Sequence, residues 1–406
     1  MNRRRLFLGF TIAALAPTLG QAQFTSGSTG SDGALNLTTP GTVIFDPTAF
    51  NPPLDPAGDN VFNFTTINIG AGVTVVMQAH LLRNKSVIWL ATGDVTIAGM
   101  LSLSGGSGAV LNSSNPGLTR SPSEPGPGGF PGGVGGYLGQ PAQPGSGYGG
   151  GTAGALGGTT GSNSGGYAVY QYYNSQLTPL VGGAGGGGGG VGTGGTAGGT
   201  GGAGAGAIRI VSSTSISLTG TINAYGGYGS LGVVEYQDGN GGSGSGGAVH
   251  LIAPTISGNG TIDTDSIGNP DASNGVVQFN ATTNTFTGSV AYDTVYYSEL
   301  YNPPALPAGL PSVRVVSVDN VAAPMYPTAS YGLPDVVINA SGKVAVTIAA
   351  QNIPLGTTVT LHLTSQSGPD SVATCAPLTG TLASSTAKCG VSFPTGVTIT
   401  EIEATY

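Results

Sequence analysis

Residues Ala207–Gly227 read AIRIVSSTSISLTGTINAYGG, and residues Ser86–Gly106 read SVIWLATGDVTIAGMLSLSGG. The two align over 21 positions without a gap. Val87 falls on Ile208, Trp89 on Ile210, Leu90 on Val211, Val95 on Ile216, Ile97 on Leu218, Gly99 on Gly220 and Leu101 on Ile222. A third copy, AVHLIAPTISGNGTIDTD at Ala248–Asp265, fits with one residue deleted. The shared piece V-x-I-x-G-x-L alternates with period two, as a strand with one buried face requires. Its glycine marks a bend. Self-similarity at this length points to stacked β-units, none of which buries enough apolar surface to stand alone. Five segments qualify: 61–76, 86–106, 207–227, 248–265 and 275–290. Helical spacing and helix caps are nearly absent. The expectation is an all-β chain with a short parallel β-helix or solenoid-like body over 61–302. A β-sandwich of homologous hairpins is the alternative.

Working outward, Met1–Ala22 has the form of an export signal. Arg3, Arg4 and Arg5 precede an apolar run from Leu6 to Leu19, and small residues stand at Gly20 and Ala22. The order Arg4-Arg5-Leu6-Phe7-Leu8 suits a twin-arginine (Tat-like) signal, and an ordinary Sec signal fits equally. Either one places the mature chain outside the cytoplasm, in the periplasm, on the cell surface or in the extracellular medium. No second apolar run reaches the ~20 residues of a membrane helix. The chain carries 10 Lys and Arg against 18 Asp and Glu. Removing the leader takes away three of the basic residues, so the balance becomes more acidic still. Nucleic acid and anionic membranes, which need basic patches, are therefore poor partners. Residues 23–60, rich in Ser, Gly, Thr and Pro, read as an extended lead-in.

Glycine accounts for 75 residues, concentrated in an insertion over 107–206. It recurs at every third position from Gly183 to Gly204, with shorter runs at Gly126, Gly129, Gly132 and Gly135 and at Gly151, Gly154 and Gly157. Period three suits threefold extended helices packed side by side, because only glycine fits the contact face. The insertion is thus either an ordered polyglycine-II assembly or a flexible loop. Ordering it costs about 1–2 kcal/mol per residue of backbone entropy, so order requires its amides to bond to neighbouring segments. Tyr137, Tyr148, Tyr167, Tyr170, Tyr172 and Tyr173 decorate it. They are either surface contacts for sugars and cells or anchors that hold the insertion to the body.

Residues 303–311 (PPALPAGLP) form a proline-rich linker. Beyond it, strand-like runs at Val313–Val318, Val336–Ile338, Val344–Ala350, Thr358–Thr364, Gly390–Phe393 and Val397–Ala404 predict an Ig-like β-sandwich over 312–406. The only two cysteines, Cys375 and Cys389, fall here. An even pair in an exported protein reads as a disulfide.

Few residues of the sequence are spaced for chemistry. His80, His250 and His362 lie far apart with no metal-ligand spacing, and His250 falls on the outward slot of Arg209, where a solvated side chain is expected. Asp263, Asp265 and Asp271, with Glu235 and Asp238 nearby, are the only carboxylates grouped as glycoside hydrolysis would need. No lysine or arginine beside them supplies the base of a lyase. Asp238 and Asn240 are a weak calcium candidate, lacking the aspartate of the nonapeptide repeat. No catalytic, cofactor or metal residue is assigned.

In layout the chain resembles a group of bacterial secreted proteins of uncharacterised function. They combine rungs such as LATGDVTIAGMLSLSGG (Leu90–Gly106), a GPGGFPGG insertion (Gly126–Gly133), rungs such as GAIRIVSSTSISLTGTI, and a C-terminal module with VTIAAQNIPLGTTVTLHL (Val346–Leu363). The resemblance implies no activity, since the group offers no catalytic residues to carry over. The expected function is a secreted or cell-surface structural or adhesive protein, non-enzymatic, acting as an adhesin, matrix component or filament subunit. Its partners would be glycans, cell surfaces or other copies of itself. A polysaccharide-acting enzyme is the alternative.

Overall fold

The computed structural model describes residues 24–109, 121–137, 140–155, 164–169, 176–193, 195, 197–232, 238–266, 272–291, 294–301, 309–325, 327, 334–340, 342–365, 370–394, 396 and 398–406. The leader over 1–22, most of the linker over 303–311, and Tyr170, Tyr172, Tyr173, Glu235 and Asp271 lie outside the described residues.

In chain order the first half of the body supplies β1 (Gly33–Leu37), β2 (Gly41–Ile44), β3 (Val61–Ile69), β4 (Val73–Val76), β5 (Val87–Ala91), β6 (Val95–Ile97) and β7 (Met100–Ser102). After the insertion come β8 (Ala207–Ser212), β9 (Ser215–Leu218), β10 (Thr221–Asn223), β11 (Ala248–Gly258), β12 (Thr261–Asp263), β13 (Val276–Phe286), β14 (Ser289–Ala291) and β15 (Thr294–Ser298). Helix is confined to two single turns, Pro47–Ala49 and His80–Leu82, among the described residues.

All pairings among β1 to β15 are parallel, which excludes the hairpin sandwich. The residues aligned in the sequence are Cα partners: Val87 with Ile208, Trp89 with Ile210, Val95 with Ile216 and Leu101 with Ile222. The pairing pattern nevertheless corrects the expected β-helix solenoid. β3 runs through its bend and pairs with both β5 and β6, and β11 likewise pairs with both β8 and β9. With β5 on β8 and β6 on β9, the six strands β3-β5-β8-β11-β9-β6 close into a parallel barrel-like ring. β1, β13 and β15 are added outside that ring. A second parallel sheet runs β14-β12-β10-β7-β4-β2. The physical reason lies in strand continuity. The chain breaks between β5 and β6 and between β8 and β9, whereas β3 and β11 stay extended through the same place.

Alternate residues of these strands fill one apolar core. A stack of side chains crosses the sheet from Phe62 through Trp89, Ile210, Leu251 and Phe279 to Tyr297, each a register partner of the next. The stack is closed at its first end by Phe45, fully buried, whose ring lies 5.3 Å from Phe62 and 5.4 Å from Trp89. At the other end Tyr297 is 66% exposed.

The C-terminal part is antiparallel. β16 (Ser312–Val318), β17 (Val321–Ala322), β18 (Lys343–Gln351), β19 (Thr360–Ser365), β20 (Ser371–Thr374), β21 (Thr379–Thr381), β22 (Ser384–Ser392) and β23 (Thr400–Thr405) form two sheets. Their orders are β17-β16-β18-β22-β21 and β20-β19-β23. Val346, Ile348, Leu361, Leu363 and Val391 form a core shared between them. The Val336–Ile338 run is not a strand. Cys375 and Cys389 form the disulfide, which fits an oxidising compartment. No helix among the described residues is long and apolar enough to cross a membrane.

Candidate functional site

The insertion is an ordered, backbone-bonded bundle wherever it is described. Its centre is the segment 181–192. Gly183, Gly186 and Gly189 donate their N–H groups to the carbonyls of Ala205, Gly202 and Gly199 at 2.7–2.8 Å. Their own carbonyls accept from Phe130, Gly133 and Gly136. On the next face Gly185 and Gly188 donate to Ser146 and Gln143 and accept from Gly151 and Gly154. On the third, Gly187 donates to Gly166, and Ala184, Gly187 and Gly190 accept from Ser245, Gly242 and Gly239. Every face therefore repeats at three residues, and six segments surround the central one. Such an arrangement satisfies the backbone groups that burial would otherwise leave unpaired.

Close approach is what demands glycine here. A Cβ at Gly186 would overlap the Gly242 carbonyl, one at Gly188 the Val134 carbonyl and one at Gly187 the Thr152 carbonyl. From Gly185 to Gly190, an unbroken glycine run, no face has room for a Cβ. The neighbouring segment 197–206 needs glycine only where it faces others. Gly198, Gly201 and Gly204 meet the central segment and Gly199 and Gly202 meet 227–230, while Ala197, Thr200 and Ala203 carry side chains between them.

Side chains pin the bundle at its margins. Asp238, 1% exposed, accepts the N–H of Gly192 at 2.8 Å and of Ala197 at 3.2 Å. Asn240 Oδ1 accepts the N–H of Gly232 at 2.9 Å. These oxygens hold backbone amides, so the calcium reading of Asp238 and Asn240 is replaced by a structural one. Gln143 bridges to the C-terminal sheets, donating to Asp370 at 2.7 Å and accepting from Thr364 at 2.9 Å. Ser146 donates to Glu403 at 3.3 Å.

The tyrosines divide. Tyr137 is half-buried and bridged to Gln140 and Ala197. Tyr148 is 72% exposed, and Tyr167 and Tyr228 project less fully. Leu231 is also exposed.

The three histidines are not gathered into one site with the acids. His80 bonds to the Glu124 carboxylate, and His362 is exposed on β19. Asp263 accepts from the Tyr225 hydroxyl at 2.9 Å and from the Asp265 N–H at 3.1 Å. Among the described residues no group of three His, Cys, Asp or Glu is placed to hold a metal.

His250 departs from the solvated expectation. It is 1% exposed, as is Arg209 beside it. The chain over 176–181 crosses the outer face of the sheet and covers both. Arg209 donates through Nη2 to the Leu177 carbonyl at 2.6 Å and through Nε to His250 Nδ1 at 3.2 Å. His250 Nε2 then meets Asn280 Oδ1 at 2.7 Å, and Asn280 donates to Ser298 at 2.6 Å. Burial first, and the adjacent guanidinium second, push the imidazole down to about 3. The unfolded chain takes up this proton near 6.5, so stability is full above that pH and declines as pH falls from 6.5 towards 3. The wild type is expected to lose up to ~1.4 kcal/mol per pH unit more than His250→Gln across that window. Urea unfolding followed by the fluorescence of Trp89, the single tryptophan and fully buried, measures this; equal slopes would refute it.

Comparison with protein-family models, curated proteins and solved structures finds no match.

Proposed function

We propose that this is an exported bacterial surface or extracellular protein of structural or adhesive role. The glycine bundle carries its contact surface, and the parallel body and C-terminal sheets support it. The observation behind this reading is the six-neighbour packing around 181–192. It orders the insertion largely through backbone hydrogen bonds and leaves a few aromatic side chains exposed at its surface. Tyr148, Tyr167 and Tyr228 stand there, and tyrosine gives large contact area at small entropic cost. The grouped acids support no enzyme in the same way, because Asp263 is committed to Tyr225 and Asp265.

The test is retention of the purified mature protein on bacterial and host cells and on itself. Replacing Tyr148 and Tyr167 together by alanine should weaken retention by about tenfold or more, the effect of losing central aromatic contacts, with an unchanged melting temperature. Equal retention by the double variant would overturn the reading. Release of reducing ends from a glycan panel, abolished in Asp263→Ala, would replace it with an enzyme.

A further inference from the structure

The two ends of the core stack differ. Phe45 and Leu54 bury the first end, while Tyr297 leaves the last one open to solvent. Its ring is nonetheless held firmly. It lies on Phe279 with centroids 5.4 Å apart and planes 10° from parallel, and Phe279 in turn packs against Phe286 at 5.6 Å. One aromatic face is thus fixed by the core and the other is offered outward.

An open recess of about 440 Å³ adjoins it, lined by Phe279, Thr282, Asn284, Tyr297, Ser298 and Glu299 among others. The polar groups around it have fixed senses. Asn284 Oδ1 accepts the Phe286 N–H at 3.1 Å, which leaves the amide NH2 as its free donor. Glu299 is exposed at the rim and supplies acceptors.

We infer that this open end binds a neutral pyranose unit of a glycan, with the sugar's C–H face on Tyr297 and its hydroxyls between Asn284 and Glu299. An aromatic face is the negative side of the ring quadrupole and favours the weakly positive C–H groups of a sugar. Paired donors and acceptors match vicinal hydroxyls, each of which both donates and accepts. Glu299 and the net charge of −8 disfavour an acidic sugar. Recesses with an aromatic wall and a few convergent polar groups are the common form of small-ligand sites.

Calorimetric titration of the mature protein with neutral oligosaccharides (gluco-, manno-, galacto- and chito-oligomers) and acidic ones (oligoalginate, oligogalacturonate) tests this. Binding by at least one neutral series and by neither acidic one is expected. Tyr297→Ala should weaken it about tenfold or more, Tyr297→Phe by no more than about threefold, and Glu299→Gln by roughly three- to tenfold. Melting temperatures of the variants exclude misfolding. No neutral binding up to about 10 mM, a preference for acidic sugars, or full binding by Tyr297→Ala would each overturn the inference. Replacing Tyr148 and Tyr167 by alanine should leave this binding intact. Loss there, with Tyr297→Ala unaffected, would place the sugar on the bundle and overturn only the present site.

Discussion

Gly186→Ala is expected to open the glycine bundle and cost more than about 3 kcal/mol, beyond the usual range for overpacking. The new methyl would overlap the Gly242 carbonyl, and a backbone atom cannot rotate aside as a side chain does. Relief requires the segments to separate, and Gly186 itself bonds to two neighbours, Gly202 and Gly133. Each lost bond leaves a buried donor or acceptor unpaired. The change is read as a lowered first transition in calorimetry and as faster chymotryptic cleavage near Tyr148 and Tyr167. Ala203→Gly is the control. Ala203 is equally buried but already has room for its methyl, so its removal should cost only about 1 kcal/mol, mainly through the unfolded chain. Similar costs for the two variants would mean that close backbone approach is not what selects glycine.

Arg209→Leu carries the second large effect, a loss of about 2–5 kcal/mol from leaving buried acceptors unpaired. Its guanidinium holds the Leu177 carbonyl and His250 Nδ1 in a covered site, and both would be left without that donor. Burial lowers the guanidinium only to about 10, so it is charged at neutral pH. The covering chain over 176–181 leads directly into the central glycine segment. Loosening it should therefore weaken amide protection in 181–192 as well as in β8 and β11. Trp89 fluorescence in urea and amide exchange check the two halves. A variant that loses stability while 181–192 stays fully protected would show that the strap and the bundle are independent.

Much of the molecule was legible in the sequence, and the reasons are local. The register of Val87 on Ile208 and Leu101 on Ile222 follows from alternation, because a slip of one residue would turn every core side chain outward. The cysteine pair was equally readable. Closure of the strands into a ring was not, because it depends on whether β3 and β11 stay extended through a bend that β5–β6 and β8–β9 break. No periodicity distinguishes those cases. The burial of His250 was hidden for another reason. Its slot alternates as an outward one, and the segment that covers it comes from 176–181, far away in the chain. The bundle was half visible. Each period-three glycine series marks one face in close contact with a neighbour, as at Gly198, Gly201 and Gly204. The unbroken run from Gly185 to Gly190 carried the further signal that this segment is enclosed on all sides.

That enclosure is measured most directly by hydrogen–deuterium exchange of the amides over 181–192 in the full chain. Protection comparable to the strands β5 and β8 is expected, since Gly183, Gly185, Gly186, Gly187, Gly188 and Gly189 all donate to backbone carbonyls. Exchange at the rate of an unstructured glycine peptide, with β5 and β8 still protected, would contradict it.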